Sequence, residues 1–162
     1  MKPIEGYNKL RGGYYTPEKI AEFIVDWAIR TTTDTILEPS CGDGSFVNAI
    51  TSKLQRMGTS DQAIKRNVTG VELDKTEAKK ASRYGASIIQ SDFFTYYQNC
   101  IDDKKKFDVI VGNPPFIRYQ NFEEEYRKIA FELMDKHGFH PNRLTNIWLP
   151  FLVLACKALK PD

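Results

Sequence analysis

The chain has 162 residues, 41% of them hydrophobic and 27% charged, with a formal net charge of +2. This length supports one domain with a proper core, and the composition is ordinary for a soluble globular protein. The basic residues are scattered, with residues 104–106 as a run that we interpret as a solvated loop, so no concentrated basic face for nucleic acid is indicated.

Cysteine usage and hydropathy argue against further classes of protein. Cys41, Cys100 and Cys156 are far apart and form no CxxC pair, which favours a reduced intracellular protein over a disulfide scaffold or a zinc site. The first residues lack an apolar signal region, and the most apolar segment, residues 147–159, is too short to cross a bilayer. We therefore expect a cytoplasmic protein with no membrane partner and no bound metal.

The first helix follows a polar lead-in, residues 1–13, which we expect to be flexible. Thr16 is the predicted cap of this helix and Pro17 occupies its favoured first position. The helix should end near Arg30. Its apolar residues recur at helical spacing, and they predict a buried face made of Ile20, Phe23, Ile24, Trp27 and Ala28.

Strands and helices alternate along the rest of the chain. Strands are predicted at residues 35–38, 67–73, 87–90 and 107–111, and helices at residues 45–56, 75–84, 123–136 and 145–159. This alternation predicts an α/β fold with a parallel sheet. The last residues, 160–162, predict a turn into a further strand, because the apolar strand 107–111 would be a poor sheet edge. We therefore expect a sheet truncated before its last strands.

A polar group ends or follows every predicted strand: Glu38, Glu72, Asp92 and Asn113. In parallel sheets ligands bind at the carboxyl ends of the strands. Glu72 and Asp92, each taken alone, are better explained as caps of the following helices. Taken together with the glycine turn that follows the first strand, the four groups predict a binding site.

The glycine turn contains Cys41, Gly42, Asp43 and Gly44, and its backbone admits a ligand closely. A nucleoside triphosphate would require GxxxxGK[ST], which this sequence lacks. A dinucleotide usually requires GxGxxG, and here Val47 stands at the third glycine. The remaining class of ligand is a nucleoside that carries an amino-acid tail instead of phosphates.

The adenosine part of such a ligand fits the second and third strand ends. Glu72 can accept hydrogen bonds from both ribose hydroxyls, and Asp92 can accept one from the exocyclic amine of adenine. Leu73 and Phe93 would cover the ring.

The tail of the ligand fits the first strand and the start of the first helix. Glu38 and Asp43 suit a positively charged amino group and a sulfonium cation, and the region of Thr16 suits a carboxylate. Cys41 has no histidine near it in sequence, so we interpret it as a small buried residue instead of a nucleophile.

The fourth strand ends in Asn113, Pro114, Pro115 and Phe116. The prolines stop the sheet and remove two backbone donors. The Asn113 side-chain oxygen and the Pro114 carbonyl can then hold the two hydrogens of an aromatic amine, and Phe116 can stack on a base flipped out of a duplex. The alternative is a plain turn with Phe116 in the core.

These motifs resemble those of the amino-group DNA methyltransferases that use S-adenosylmethionine, over roughly residues 10–160. The order of the motifs is that of the gamma class. The similar segments are residues 12–17, which include Tyr15 and Thr16, residues 37–44, which include Ser40, residues 71–74, residues 91–94 and residues 113–116.

The resemblance implies a Rossmann-like class I methyltransferase domain over residues 14–162, S-adenosylmethionine as cofactor, and methylation of adenine N6 in double-stranded DNA with a flipped adenine. The family's later strands and its target-recognition domain are missing from this sequence. A restriction–modification system is the implied context, with a nuclease domain or subunit as a candidate partner. A protein glutamine methyltransferase and a non-catalytic cofactor-binding module are the alternatives.

Overall fold

A computed structural model describes the protein over residues 15–102, 104–116, 123–142 and 144–161. A 3-10 turn (Ser82–Tyr84) directly follows the helix Lys75–Ala81, and a π-helical turn (Tyr97–Ile101) directly follows the helix Phe93–Tyr96. The helices and strands, in chain order, are α1 (Glu18–Ala28), β1 (Ile36–Glu38), α2 (Ser45–Arg56), α3 (Asp61–Asn67), β2 (Val68–Glu72), α4 (Lys75–Ala81), β3 (Ser87–Gln90), α5 (Phe93–Tyr96), β4 (Val109–Ile110), α6 (Glu124–Lys136) and α7 (Trp148–Ala158).

The four strands form one parallel sheet in the order β3-β2-β1-β4, which confirms the predicted α/β architecture. In this order β1 lies between β2 and β4, and the strand order reverses there. Glu38 is opposite Gly70 of β2, and Leu37 is opposite Ile110 of β4. Ligands of open α/β sheets bind beyond the carboxyl ends of the strands at such a reversal.

The β4 strand is shorter than predicted. It covers two residues, and Phe107 instead forms an isolated parallel bridge with Leu159. The Lys160 amine bonds both carboxylate oxygens of Asp108, each at 2.8 Å, and it lowers the pKa of that carboxyl to about 2. The chain after α7 therefore runs parallel to the start of β4. This direction agrees with the turn into a further strand that the sequence predicts.

Hydrophobic residues cover the sheet on both faces, as is usual for parallel sheets. Neighbouring strand residues point to opposite sides, so Ile36 belongs to the cluster under α1, α2 and α3, and Leu37 belongs to the cluster under α5, α6 and α7. Val68 and Val71 of β2 divide in the same way. Packing against these two cores keeps each strand from sliding along its neighbours, and this holds the strand ends in place.

The predicted buried face of α1 is wrong for its bulkiest members, although Ile24 packs against the core. Its fully buried residues are Ala21 and Val25, while Ile20, Phe23 and Trp27 are 51%, 76% and 71% exposed. The fully buried positions of α1 thus hold smaller side chains, and its bulkiest residues are exposed.

Capping of α1 also differs from the prediction. The helix begins at Glu18 with Pro17 as its cap residue, and no side chain, including that of Thr16, caps it. At its other end, the Lys53 amine of α2 donates to the carbonyls of Asp26 at 2.7 Å and Ile29 at 2.8 Å. A cation at this end satisfies free carbonyls and complements the helix dipole.

Two short helices, α3 and α5, were not predicted. Ser60 caps α3 by accepting from the Ala63 amide at 3.3 Å, and α3 leads into β2 without a loop. Asp92 caps α5 through the amides of Phe94 and Thr95, both at 2.9 Å. Each helix is too short for hydrophobic periodicity to reveal it.

Gly44, directly before α2, lies close to α4 and to the 3-10 turn that follows it. It precedes α2 with a φ of 98°, in the left-handed region. A Cβ at this position would lie 2.9 Å from the Cα of Ala81 and 2.9 Å from the ring of Tyr84. The absence of a side chain therefore lets the glycine turn lie against α4.

We expect Gly44→Ala to destabilise the protein more than Gly58→Ala. Both glycines have a positive φ, but a Cβ at Gly58 would meet nothing within 4 Å. Gly58→Ala should cost about 1–2 kcal/mol of backbone strain, and Gly44→Ala should cost about 1–3 kcal/mol more through overpacking. Urea unfolding of the two variants measures the difference, and equal losses would contradict the close approach.

Candidate functional site

The carboxyl ends of β1, β2 and β4 bring the predicted residues to one edge of the sheet. Glu38 and Glu72 are the last residues of β1 and β2. Asp92 caps the helix that follows β3, and Asn113 lies three residues beyond β4. Because β1 lies between β2 and β4, Glu38 lies in the middle of the candidate site.

Glu38 is 1% exposed, which is rare for a carboxylate. Its Oε2 has no hydrogen-bond partner among the described residues, although the backbone N–H of Ser40 donates to the carboxylate. Burial, followed by the nearby charge of Glu72, raises the pKa of Glu38 well above its usual range. An acid with an orphan oxygen in this position is suited to a cationic group.

Glu72 joins the loops that follow β1 and β2. Its Oε2 accepts from the Gly42 amide at 2.8 Å, and its Oε1 accepts from the Asp74 amide at 2.7 Å. Burial raises the pKa of this carboxyl, and the two amide hydrogen bonds oppose that shift. Each oxygen keeps acceptor capacity, so the side chain can position the glycine turn and still accept from a ligand.

Three of the four amides of the glycine turn, those of Cys41, Gly42 and Gly44, are already in use. The Cys41 amide donates to the carbonyl of Val71 at 2.8 Å, and the Gly44 amide donates to the carbonyl of Cys41 at 2.9 Å. Asp43 accepts from both the amide and the hydroxyl of Ser45. Because these donors are occupied and acidic side chains surround the turn, the turn is not suited to bind phosphate. Its chemistry fits a cation instead.

Cys41 is 6% exposed, and its Sγ lies 3.2 Å from the position that a Cβ on Gly70 would take. Burial raises the pKa of its thiol, and the charges of Glu38 and Glu72 raise it further. This cysteine is a small buried residue and not an activated nucleophile, in agreement with the sequence-based interpretation.

Tyr15 lies over the glycine turn. Its ring is 3.5 Å from the place of a Cβ on Gly42, and its hydroxyl bonds to Glu77 of α4. Burial and the charge of Glu77 both raise the pKa of the Tyr15 hydroxyl. The contact with α4 could not be read from the sequence, because it joins segments that are distant along the chain.

Asp92 is buried, and it has the capping role that the sequence left open as an alternative. The ring of Phe93 is 2% exposed and stacks on Phe151 at a centroid distance of 5.1 Å. It is therefore a core side chain and not an open face beside Asp92. Leu73, which is 42% exposed, is the apolar side chain that remains accessible next to the strand ends.

The segment after β4 is partly open. Asn113, Pro114 and Pro115 are half-buried, and Phe116 is 58% exposed, so its ring is not part of the core. The Ser40 hydroxyl donates to the Asn113 carbonyl at 3.5 Å. This long hydrogen bond gives the Asn113 carbonyl a partner that the sequence did not predict and links the glycine turn to the segment.

The two histidines bind different partners: His137 bonds the Tyr97 hydroxyl at 3.1 Å, and His140 bonds Asp135 at 2.9 Å. Within the described ranges, no three histidine, cysteine or acidic side chains are grouped as a metal site. The part of the chain that the structure describes also has no helix long and apolar enough to cross a membrane.

The fold is that of class I S-adenosylmethionine-dependent methyltransferases. A putative class I enzyme of this type from Listeria monocytogenes superimposes with a TM-score of 0.65 at 16% identity, covering 93% of this chain and 44% of that one. The M protein of the type I restriction enzyme EcoKI superimposes with a TM-score of 0.66 at 16% identity, covering 91% and 32%.

Residues 4–162 match the N-6 DNA methylase family, and the chain belongs to that family. The type II methyltransferase M.CvrRI of Paramecium bursaria Chlorella virus XZ-6E is 34% identical over 162 residues, and M.HincII of Haemophilus influenzae is 28% identical over 151. The alignments cover 93% and 92% of this chain but only 39% and 26% of those proteins. The resemblance to amino-group DNA methyltransferases is thus confirmed, and the glutamine-methyltransferase alternative gains no support.

Glu38→Gln should stabilise the free protein at neutral pH. Because the folded state raises the pKa of Glu38, it holds a proton that the unfolded chain releases, so the free energy of unfolding falls as the pH rises from about 4.5. Glutamine does not ionise, so the variant does not lose free energy of unfolding in this way as the pH rises. We expect a higher melting temperature than wild type at pH 8 and a smaller gain at pH 5.

Thermal unfolding at both pH values measures this effect, with the exposed Glu22→Gln as a matched control. If the melting temperature of Glu38→Gln differs from that of wild type by the same amount at both pH values, Glu38 is ionised in the folded protein.

Proposed function

We propose that this chain carries the cofactor-binding and catalytic part of a DNA adenine-N6 methyltransferase from a restriction–modification system. The proposal is carried by one observation: β1 and β4 are neighbours, so the buried acid Glu38 contacts Gly112, directly before Asn113. A cationic cofactor and an acceptor amine would therefore meet at one place. Membership of the N-6 DNA methylase family supports the same reaction.

The adenosine half of S-adenosylmethionine is assigned to the ends of β2 and β3. Glu72 accepts from the ribose hydroxyls with the acceptor capacity that its two amide bonds leave free. Asp92 accepts from the adenine amine, Leu73 covers the ring, and Phe93 contributes through its backbone because its ring lies in the core.

The methionine half is assigned to the end of β1 and the segment before α1. Glu38 and Asp43 would hold the amino group, and the region of Tyr15 and Thr16 would hold the carboxylate. When bound, the cofactor supplies a methyl group activated on a sulfonium centre. The acids of the site fit that positive charge, and the backbone of the turn surrounds the tail through Ser40, Cys41, Gly42 and Gly44.

The segment after β4 holds the acceptor base. The Asn113 side-chain oxygen and the Pro114 carbonyl accept the two hydrogens of the adenine amino group, which directs the nitrogen lone pair toward the methyl donor. Pro115 keeps the backbone rigid, and the exposed ring of Phe116 stacks on the flipped base. The residues contribute placement and electrostatics, and no strong base is needed before attack.

Double-stranded DNA is the proposed partner, and the cytoplasm is the proposed compartment. The DrdV–DNA complex superimposes with a TM-score of 0.70 at 19% identity, covering 98% of this chain and 20% of that one. Sequence recognition and any nuclease would lie in parts of the intact protein that correspond to the larger remainder of such relatives.

Asn113→Ala should abolish methyl transfer, with a loss of about 100-fold or more, because one of the two acceptors for the amine is removed. The assay is transfer of labelled methyl from the cofactor to adenine-containing DNA by the intact protein, with cofactor affinity measured in parallel. The exposed Gln98→Ala serves as the control. An unchanged rate for Asn113→Ala would show that Asn113 does not hold the acceptor base, and would favour a non-catalytic cofactor-binding role for this part of the intact protein.

Glu72→Ala should raise the Kd for S-adenosylmethionine about tenfold or more, since a charged acceptor of the ribose is lost. Glu72→Gln, which keeps the size and one acceptor oxygen, should have a smaller effect. Calorimetry on the three proteins gives the Kd, and circular dichroism checks that the overall secondary structure is kept. Equal affinities would remove Glu72 from ribose binding.

A further inference from the structure

Gly112 lies where the candidate cofactor site meets the segment that contains Asn113. A Cβ built on Gly112 would overlap the Oε1 atom of Glu38 and would lie 3.1 Å from its Cδ. The carboxylate of Glu38 therefore occupies the space that any side chain at position 112 would need.

The backbone partner in this contact is more tightly held than the Glu38 side chain. The Val111 amide donates to the Leu37 carbonyl at 3.0 Å, which holds the backbone before Gly112 in register with β1. Glu38 is 1% exposed and has Glu72 as a charged neighbour. A methyl group at position 112 would consequently move the carboxylate, which is the end of a side chain, and leave the paired backbone in place.

We propose that Gly112 is a positioning residue for cofactor binding, which sets the place of the Glu38 carboxylate and thereby the place of the cofactor's amino group relative to Asn113. This inference rests on the proposed function, since it needs a cofactor whose cationic tail faces Glu38. The proposal goes beyond that function because it assigns an effect on cofactor binding to Gly112, a residue that has no side chain.

A double-mutant cycle on the intact protein tests the proposal. The four proteins are wild type, Gly112→Ala, Glu38→Asp and the double variant, each checked for its melting temperature. The ligands are S-adenosylmethionine and methylthioadenosine, which retains the nucleoside but lacks the amino-acid tail. Calorimetry gives eight dissociation constants.

Gly112→Ala should raise the Kd for S-adenosylmethionine about tenfold, the scale of one charged hydrogen bond, and should change the Kd for methylthioadenosine less than about twofold. Aspartate is one methylene shorter and leaves room for the added methyl. The double variant should therefore bind no more weakly than Glu38→Asp alone.

Three results would overturn the proposal: unchanged binding of S-adenosylmethionine to Gly112→Ala, equal weakening of both ligands, or additive effects in the double variant. The last two would indicate a general disturbance of the fold. If Gly112→Ala does not fold, the comparison of the double variant with Glu38→Asp decides alone. A wild-type protein that binds neither ligand would instead refute the proposed function.

Discussion

The parallel pairing of β1 with both β2 and β4 is the constraint on which the rest of the site depends. Every residue of β1 is buried, so its level in the sheet cannot shift without moving side chains between the two cores. The pairing places the carboxyl ends of three strands side by side. Glu38 thereby comes to lie next to Gly112 on one side and close to Glu72 on the other.

This arrangement concentrates negative charge where a folded protein would ordinarily avoid it. Glu38 is buried and Glu72 is partly buried, and burial raises the pKa of each. Backbone amides compensate Glu72, whereas one oxygen of Glu38 has no partner among the described residues. Functional sites often contain such unfavourable electrostatics, because a bound cation relieves them and thereby gains affinity.

The sequence predicted the sheet and its polar strand ends well, since alternation of strands and helices and residues such as Glu38 and Asn113 are local signals. It failed where packing decides. Trp27 is exposed although its helical spacing predicted a buried position, and the ring of Phe93 is buried against Phe151, far along the chain. Likewise, the clash at Gly112 exists only once β4 is beside β1.

The bond between Thr35 and Asp108, which spans 73 positions, has a consequence for the order of folding. It closes the longest loop between neighbouring strands, whereas β1 with β2 and β2 with β3 pair across much shorter stretches of chain. Loop-closure entropy favours the short pairings first. We therefore expect the half that contains Glu38 and Glu72 to form first, and the segment with Asn113 to dock on it later.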